Sequence, residues 1–306
     1  MSRPARLRAV AVTAAVALSL LASGCGSDAE ADPSADHAGH QHVGHDHAEV
    51  ADDGDGVLEV TARDFAFVSE HATVAAGTVP VRFTNEGQEP HQLQIGRLRS
   101  PMSPDEFIDL MDEEGDRATV DALTWVGGIN VMDPGETGSA AVDLAPGDYL
   151  MVCYVPDDDG TSHVMRGMVA ALHVAGQTLA PSESEVGGPA ERGEAVVLRD
   201  YQIELPDGFR GHGDVAFRNE GTDPHEVVLL RLDDGKTLAD AAAYQSDPTM
   251  EQPFTFAGGV SSVAPGTTAV ATLDLEPGDY LATCFVPAED GTPHIDLGML
   301  TTFTIP

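Results

Sequence analysis

One phrase occurs twice in this chain of 306 residues. The first copy, P-G-D-Y-L-M-V-C-Y-V-P-D-D-D-G-T-S-H-V-M-R-G-M, ends at Met168, and the second, P-G-D-Y-L-A-T-C-F-V-P-A-E-D-G-T-P-H-I-D-L-G-M, ends at Met299. Self-similarity on this scale constrains the architecture before any propensity does: one supersecondary plan, built twice. Each copy holds a Cys, a His and a Met at the same offsets: Cys153, His163 and Met168, then Cys284, His294 and Met299. A second His precedes each copy in a matching phrase, N-E-G-Q-E-P-H ending at His91 and N-E-G-T-D-P-H ending at His225.

The segments around these residues read as strands. V-L-E-V-T-A, T-V-P-V-R-F-T-N and S-A-A-V-D-L alternate apolar and polar residues, and Y-L-M-V-C-Y-V is a short buried run. The second copy repeats the order with D-V-A-F-R-N, H-E-V-V-L-L-R-L, A-V-A-T-L-D-L and Y-L-A-T-C-F-V. Ser103, Pro104 and the acidic residues after them predict a short helix between the first His and the Trp125-Val-Gly-Gly segment, and a matching one spans about Leu238 to Tyr244. Trp125-Val-Gly-Gly, its counterpart F-A-G-G, D-P-G-E-T and P-G-T-T read as turns. Many short strands with Gly/Pro turns and few helices predict an all-β fold of two tandem β-sandwich domains, each with a short helical insert. The expected domains are 57–175 and 195–306, joined by a linker at 176–194.

The N-terminus reads as a targeting segment. Arg3, Arg6 and Arg8 precede an apolar run from Ala9 to Leu21, too short for a stable membrane span. Ala-Ser-Gly-Cys then ends at Cys25. This resembles a bacterial lipoprotein signal, with Ala22 where Leu is usual. The resemblance implies that residues 1–24 are removed, that Cys25 is lipidated, and that the chain sits at the outer face of the cytoplasmic membrane. An ordinary secretory signal is the alternative. Residues 25–56 read as a disordered tether. It carries His37, His40, His42, His45 and His47 beside carboxylates, a density of imidazoles suited to capturing Cu(II), Zn or Ni. The formal net charge of −36 argues against nucleic acid as a partner, since nothing here could neutralise phosphates. The acid is spread along the chain, which suits solubility more than a docking patch.

With Cys25 assigned to a lipid, Cys153 and Cys284 remain. They could pair in an oxidising compartment, but they occupy equivalent places in two repeats, so a metal thiolate at each is the simpler account. A one-electron copper site must hold Cu(I) and Cu(II) with little rearrangement. Thiolate and thioether suit Cu(I), imidazole suits both, and a trigonal His, His, Cys set with a weak axial Met meets the need.

At these residues both repeats resemble cupredoxins of the plastocyanin and pseudoazurin kind, including the His-x4-Met spacing. The resemblance implies Greek-key sandwiches with one copper each, held by His91, Cys153, His163 and Met168 and by His225, Cys284, His294 and Met299. The implied activity is single-electron transfer without bond chemistry on a substrate, so the expectation is a chain that is not an enzyme. One departure stands out. Nine residues separate Cys from His in each copy, against two to four in known blue-copper loops. The D-G-T segment suggests a tight reversal within a small hairpin or Ω-shaped excursion. Such a loop is expected to loosen the geometry and open the site to water, which points toward copper storage or delivery.

Within the repeats there is no His-x-His pair, His-Cys-His run or Cys-x3-Cys. A trinuclear copper centre, a nitrite-reductase type and a dinuclear copper centre therefore lack ligands. D-D-G-D-G and D-D-D-G lack the remaining spacing of a Ca²⁺ loop and read as turns. Expected partners are a redox protein or a copper-handling protein, and the membrane through the lipid. A copper storage or delivery protein with the His tract as capture arm, and a metal-free β-sandwich interaction module, are the alternative readings.

Overall fold

In the computed structural model, residues 56–157, 159–176 and 194–306 are described. The first repeat forms β1 (Leu58–Arg63), β2 (Ala66–Val68), β3 (Thr73–Ala75), β4 (Gly77–Asn85), β5 (His91–Leu98), α1 (Pro104–Glu114), α2 (Asp116–Ala122), β6 (Leu123–Met132), β7 (Thr137–Leu144), β8 (Gly147–Val152) and β9 (Val169–Ala175). The second forms β10 (Glu194–Arg199), β11 (Gln202–Glu204), β12 (His212–Asn219), β13 (His225–Leu232), α3 (Leu238–Ser246), β14 (Phe254–Val263), β15 (Thr268–Asp274), β16 (Gly278–Thr283) and β17 (Leu300–Ile305).

Alternation places the outer strands. Leu58, Val60 and Ala62 of β1 and Val79, Val81 and Phe83 of β4 point into the core while their neighbours face out. β5 is buried on both faces through its first six residues, and β13 likewise, as strands at the centre of a covered sheet must be.

Two sheets result, ordered β11-β10-β12-β15-β7-β4-β1-β2 and β17-β16-β13-β14-β6-β5-β8-β9-β3. The chain crosses between sheets from β4 to β5 and from β6 to β7. It returns to set β7 beside β4 and β8 beside β5, a Greek-key connectivity that the second repeat reproduces. β1 runs parallel to β4 and β10 parallel to β12.

Both sheets run on from one repeat into the other. β7 pairs antiparallel with β15 through Ala140 and Ala271, and β6 pairs with β14 through Ile129 and Val260. In each case a residue meets its own counterpart, the self-complementary pattern of an isologous dimer interface inside a single chain. Polar groups seal this seam. Asn130 Nδ2 donates to the Val260 carbonyl (3.0 Å), and its counterpart Ser261 donates Oγ–H to the Ile129 carbonyl (3.0 Å). One hydrophobic cluster spans the seam, joining Phe107, Val120 and Trp125 to Val215, Phe217, Val260 and Tyr280.

The helix at Pro104 forms as expected. Ser103 Oγ accepts from the Glu106 N–H, and the Glu106 carboxylate accepts from the Ser103 N–H, a reciprocal capping box. α2, after the break at Gly115, was not expected.

The Gly-Gly segments are not turns. They lie inside β6 and β14. Gly128 has φ +139° and Gly259 φ +117°, and a Cβ there would run into the carbonyl oxygens of Leu93 and Val227. The glycines let β6 and β14 approach β5 and β13 closely, beside irregularities in the register. No helix among the described residues is long and apolar enough to cross a membrane.

Candidate metal centres

In each repeat a buried Asn anchors the turn that delivers the first His. Asn85 Nδ2 donates to the carbonyls of Glu89 (2.8 Å) and Met132 (2.9 Å), and its Oδ1 accepts from the Gly87 N–H (2.9 Å). Asn219 does the same with Asp223, Val263 and Gly221. His91 and His225 are the first residues of β5 and β13, while Cys153 and Cys284 directly follow β8 and β16. Because β5 is antiparallel to β8, and β13 to β16, each His and Cys meet at one end of the sheet.

The nine-residue loop then folds on itself as a small hairpin. The Asp157 N–H donates to the Thr161 carbonyl (2.9 Å), Asp157 Oδ1 accepts from the Thr161 N–H (2.9 Å), and the His163 N–H donates to the Val155 carbonyl (2.8 Å). Ala288 with Thr292 and His294 with Val286 repeat the pattern. Asp157 of D-D-D-G is thus a turn residue, as expected. The hairpin returns His163 to Cys153 without opening the site: His91, Cys153, His163 and their three counterparts are all 0% exposed. The expectation of a water-open site is overturned, because the extra residues form their own closed excursion.

The donor atoms converge. His91 Nδ1 and His163 Nδ1 lie 3.0 Å apart, and Cys153 Sγ lies 3.5 Å from His163 Nδ1 and 4.0 Å from His91 Nδ1. In the second repeat His225 Nδ1 and His294 Nδ1 are 3.1 Å apart, with Cys284 Sγ 3.5 Å from His294 Nδ1. Each trio falls within 4.8 Å, as a metal-ligand group must. The sulfurs also accept from the backbone, from the N–H of Gln92 and of Glu226, each at 3.5 Å. Met168 and Met299 are fully buried at the loop ends. Their N–H groups donate to the carbonyls of His163 and His294, and their carbonyls accept from the N–H of Cys153 and Cys284. Both Cys are free, each in its own group, so they are not a pair.

Behind three of the four imidazoles stands a carboxylate, and it explains why the near side suits a cation. His91 Nε2 lies 2.8 Å from Asp64 Oδ1, His163 Nε2 lies 3.0 Å from Glu89 Oε2, and His225 Nε2 lies 3.1 Å from Asp200 Oδ1. A carboxylate fixes the proton on Nε2 and leaves Nδ1 a bare lone pair. In the first repeat two such lone pairs face each other at 3.0 Å beside a thiol, an arrangement that a soft cation between them satisfies.

Burial favours the neutral form of both thiols and of His163, His225 and His294. It pushes the Cys153 thiol up to about 12 and the Cys284 thiol higher still, with the buried Glu226 carboxyl adding to the latter. Burial lowers His163 against the pull of Glu89, lowers His225 against Asp200, and takes His294 down to about 4, aided by His225. Partial burial pushes Asp200 up, but hydrogen bonds from Thr222 and His225 outweigh it and bring its carboxyl down to about 2.

No family model and no curated protein matches the chain. Among solved structures it is similar to a dithionite-reduced auracyanin from Roseiflexus castenholzii, at 20% identity over 40% of this chain and 98% of that one, TM-score 0.29. It is also similar to auracyanin A, a "blue" copper protein of Chloroflexus aurantiacus, at 21% identity over 39% and 98%, TM-score 0.29. A blue copper oxidase from Nitrosomonas europaea matches at 16% identity over 80% of this chain and 84% of that one, TM-score 0.24. What decides the class is the chain's own arrangement: Greek-key sheets, stacked, with a His, Cys, His group closed at a sheet end in each repeat. The fold is cupredoxin-like. One expectation is corrected by these comparisons: with an oxidase matching over 80% of the chain, the reading that this is not an enzyme is withdrawn. At these TM-scores the matches assign no reaction to the chain.

Six of the eight expected cupredoxin-like ligands are thus brought together as donor groups, and the two Met are tied by their backbones to the same loops. Cys25, His37, His40, His42, His45 and His47, and nearly all of the 176–194 linker, lie outside the described residues. Sequence reasoning missed the carboxylates behind the imidazoles. A repeated phrase marks two of them, Arg63-Asp64-Phe65 and Arg199-Asp200-Tyr201, and its aromatic ring also lies against the loop His, Phe65 at 4.7 Å from His163 and Tyr201 at 5.1 Å from His294.

Proposed function

We propose that the chain binds one copper ion in each repeat and carries single electrons at the outer face of a bacterial cytoplasmic membrane, held there by lipid on Cys25. The observation that carries the reading is the convergence, in both repeats, of two imidazole Nδ1 atoms and one thiol in a fully buried group. Thiolate with two imidazoles is a donor set for copper that changes oxidation state with little rearrangement. His91, Cys153, His163 and Met168 would hold the ion in the first repeat, and His225, Cys284, His294 and Met299 in the second. Bound copper would supply a one-electron couple. The protein's own part is to hold the donors rigid: Asn85 and Asn219 fix the His turns, the loop hairpins fix the second His, and backbone N–H groups of Gln92 and Glu226 stabilise negative charge on sulfur.

Complete burial of the donors favours electron carriage over ready release of metal. The partner in this reading is a redox protein, and the His-rich arm before Val57 is a copper-capturing segment. The test is an optical and EPR spectrum of the mature chain lacking residues 26–56 after Cu(II) addition. A strong visible band lost in the Cys153→Ala, Cys284→Ala double variant supports the reading. Colourless protein without bound copper overturns it.

A further inference from the structure

The two centres differ where their repeats differ. Glu89 and Asp223 occupy the same place, two residues before the first His. The longer Glu89 reaches His163 Nε2 at 3.0 Å, whereas Asp223 Oδ2 stops 3.9 Å from His294 Nε2, which is buried without a hydrogen-bond partner. A second difference acts in the same sense. Arg117 of α2 crosses the seam, donates to the Pro287 carbonyl in the second loop (3.1 Å), and sets its guanidinium 3.6 Å from Asp223 Oδ1. In the first centre the nearby cation, Arg166, pairs with Asp157 and Asp159. Glu226, buried beside Cys284, accepts from the Phe285 N–H, Asn130 Nδ2 and Gln94 Nε2.

We propose that the two centres are redox-inequivalent: the first, with both imidazoles backed by carboxylates, stabilises the oxidised ion, and the second is where a single electron comes to rest. This rests on the copper reading above. A carboxylate accepting a ligand imidazole's N–H raises that ligand's basicity, and losing such a partner costs ten- to a hundred-fold in metal affinity. The more highly charged, oxidised ion feels this loss most. A tenfold loss on that state alone raises the one-electron potential by about 59 mV. At equilibrium one electron therefore leaves the first centre, which is oxidised, and enters the second, which is reduced. No proton or bond moves with it.

The test is a redox titration of the full mature chain loaded with two equivalents of Cu(II), followed by visible absorbance. Cys284→Ala and Cys153→Ala variants assign each step to the centre that remains. The wild type is expected to titrate in two steps at least tenfold apart in equilibrium constant, the second centre being the more easily reduced. Asp223→Glu should bring the second step toward the first, and Glu89→Asp should raise the first toward the second. The second variant keeps the test decisive should either one fail to fold. Two bound coppers sharing one potential, a first centre reduced before the second, or steps unmoved by both variants overturn the inference and leave the copper reading standing. Absence of any thiolate-copper band overturns the copper reading itself.

Discussion

Glu226 offers a sharp test of the seam. Its side chain is 4% exposed, next to a candidate ligand and between the two repeats. Burial drives its carboxyl up to about 7 from an ordinary 4.5, against hydrogen bonds from the Phe285 N–H (3.2 Å) and Asn130 Nδ2 (3.3 Å). In the unfolded chain the group ionises near 4.5, so between there and about 7 the folded state holds the proton that the unfolded state has lost. The stability this group contributes is therefore fully present below about 4.5, falls as pH rises, and is gone above about 7. Those roughly 2.5 units correspond to about 3 kcal/mol at about 1.4 kcal/mol per unit. His163, His225 and His294 slope the other way, since their lowered values make the unfolded state the better proton binder as pH falls through about 6.5. The comparison must therefore be with Glu226→Gln, which keeps the histidines and removes the carboxyl. In metal-free protein the variant should gain about 3 kcal/mol on wild type between pH 4.5 and 8, or roughly 6–12 °C in Tm for a chain of this size. A difference between the two proteins that stays constant with pH to within about 0.5 kcal/mol would refute the assignment of an unionised carboxyl in the seam.

Four further outcomes are expected. Cys153→Ala or Cys284→Ala alone should each halve bound copper and visible absorbance, as read by metal analysis and spectrum; loss of both coppers from one substitution would contradict separate centres. Copper uptake should release about one proton per thiol and tighten about tenfold per pH unit, because the metal-free thiols are held protonated by burial; an indicator dye showing no proton release would count against thiolate ligation. Gly128→Ala should cost about 2–4 kcal/mol by chemical denaturation, from a left-handed φ and collision with the Leu93 carbonyl, and an unchanged midpoint would show that β6 can back away. Asn130→Ala strips the donor to the Val260 carbonyl and should cost about 1–3 kcal/mol by the same assay, with a neutral result indicating that water replaces it.

The donor residues were legible in the sequence because duplication displays them twice in register, so chance spacing is a poor account of them. The hairpin in the Cys-to-His loop was legible from D-G-T and the acidic residues before it: Asp157 in the first loop and Asp290 in the second accept from the turn backbone. Its closure was not, because burial depends on what packs over the loop. Trp125-Val-Gly-Gly and F-A-G-G misled for a physical reason. Paired glycines serve a tight turn and a close strand crossing equally well, and only the carbonyls of Leu93 and Val227 tell the two apart. The seam was invisible for a deeper one: Ile129, Ala140, Val260 and Ala271 are ordinary strand residues, and nothing in a strand's pattern names its neighbour at a sheet edge. Glu89 and Asp223 differ by one methylene, and the consequence appears only when their reach to Nε2 is measured.

Where a surface meets a copy of itself, any change in one gene is imposed on both sides of the contact at once. A buried carboxylate at such a seam would then face its twin nearby. Joining the repeats in one chain releases that constraint, and the seam records the freedom: Asn130 bonds across to Val260 where its counterpart Ser261 bonds back to Ile129, and Glu226 stands where the first repeat has Gln92. The tandem arrangement thus lets one polypeptide keep a shared architecture while its two ends drift toward different chemistry.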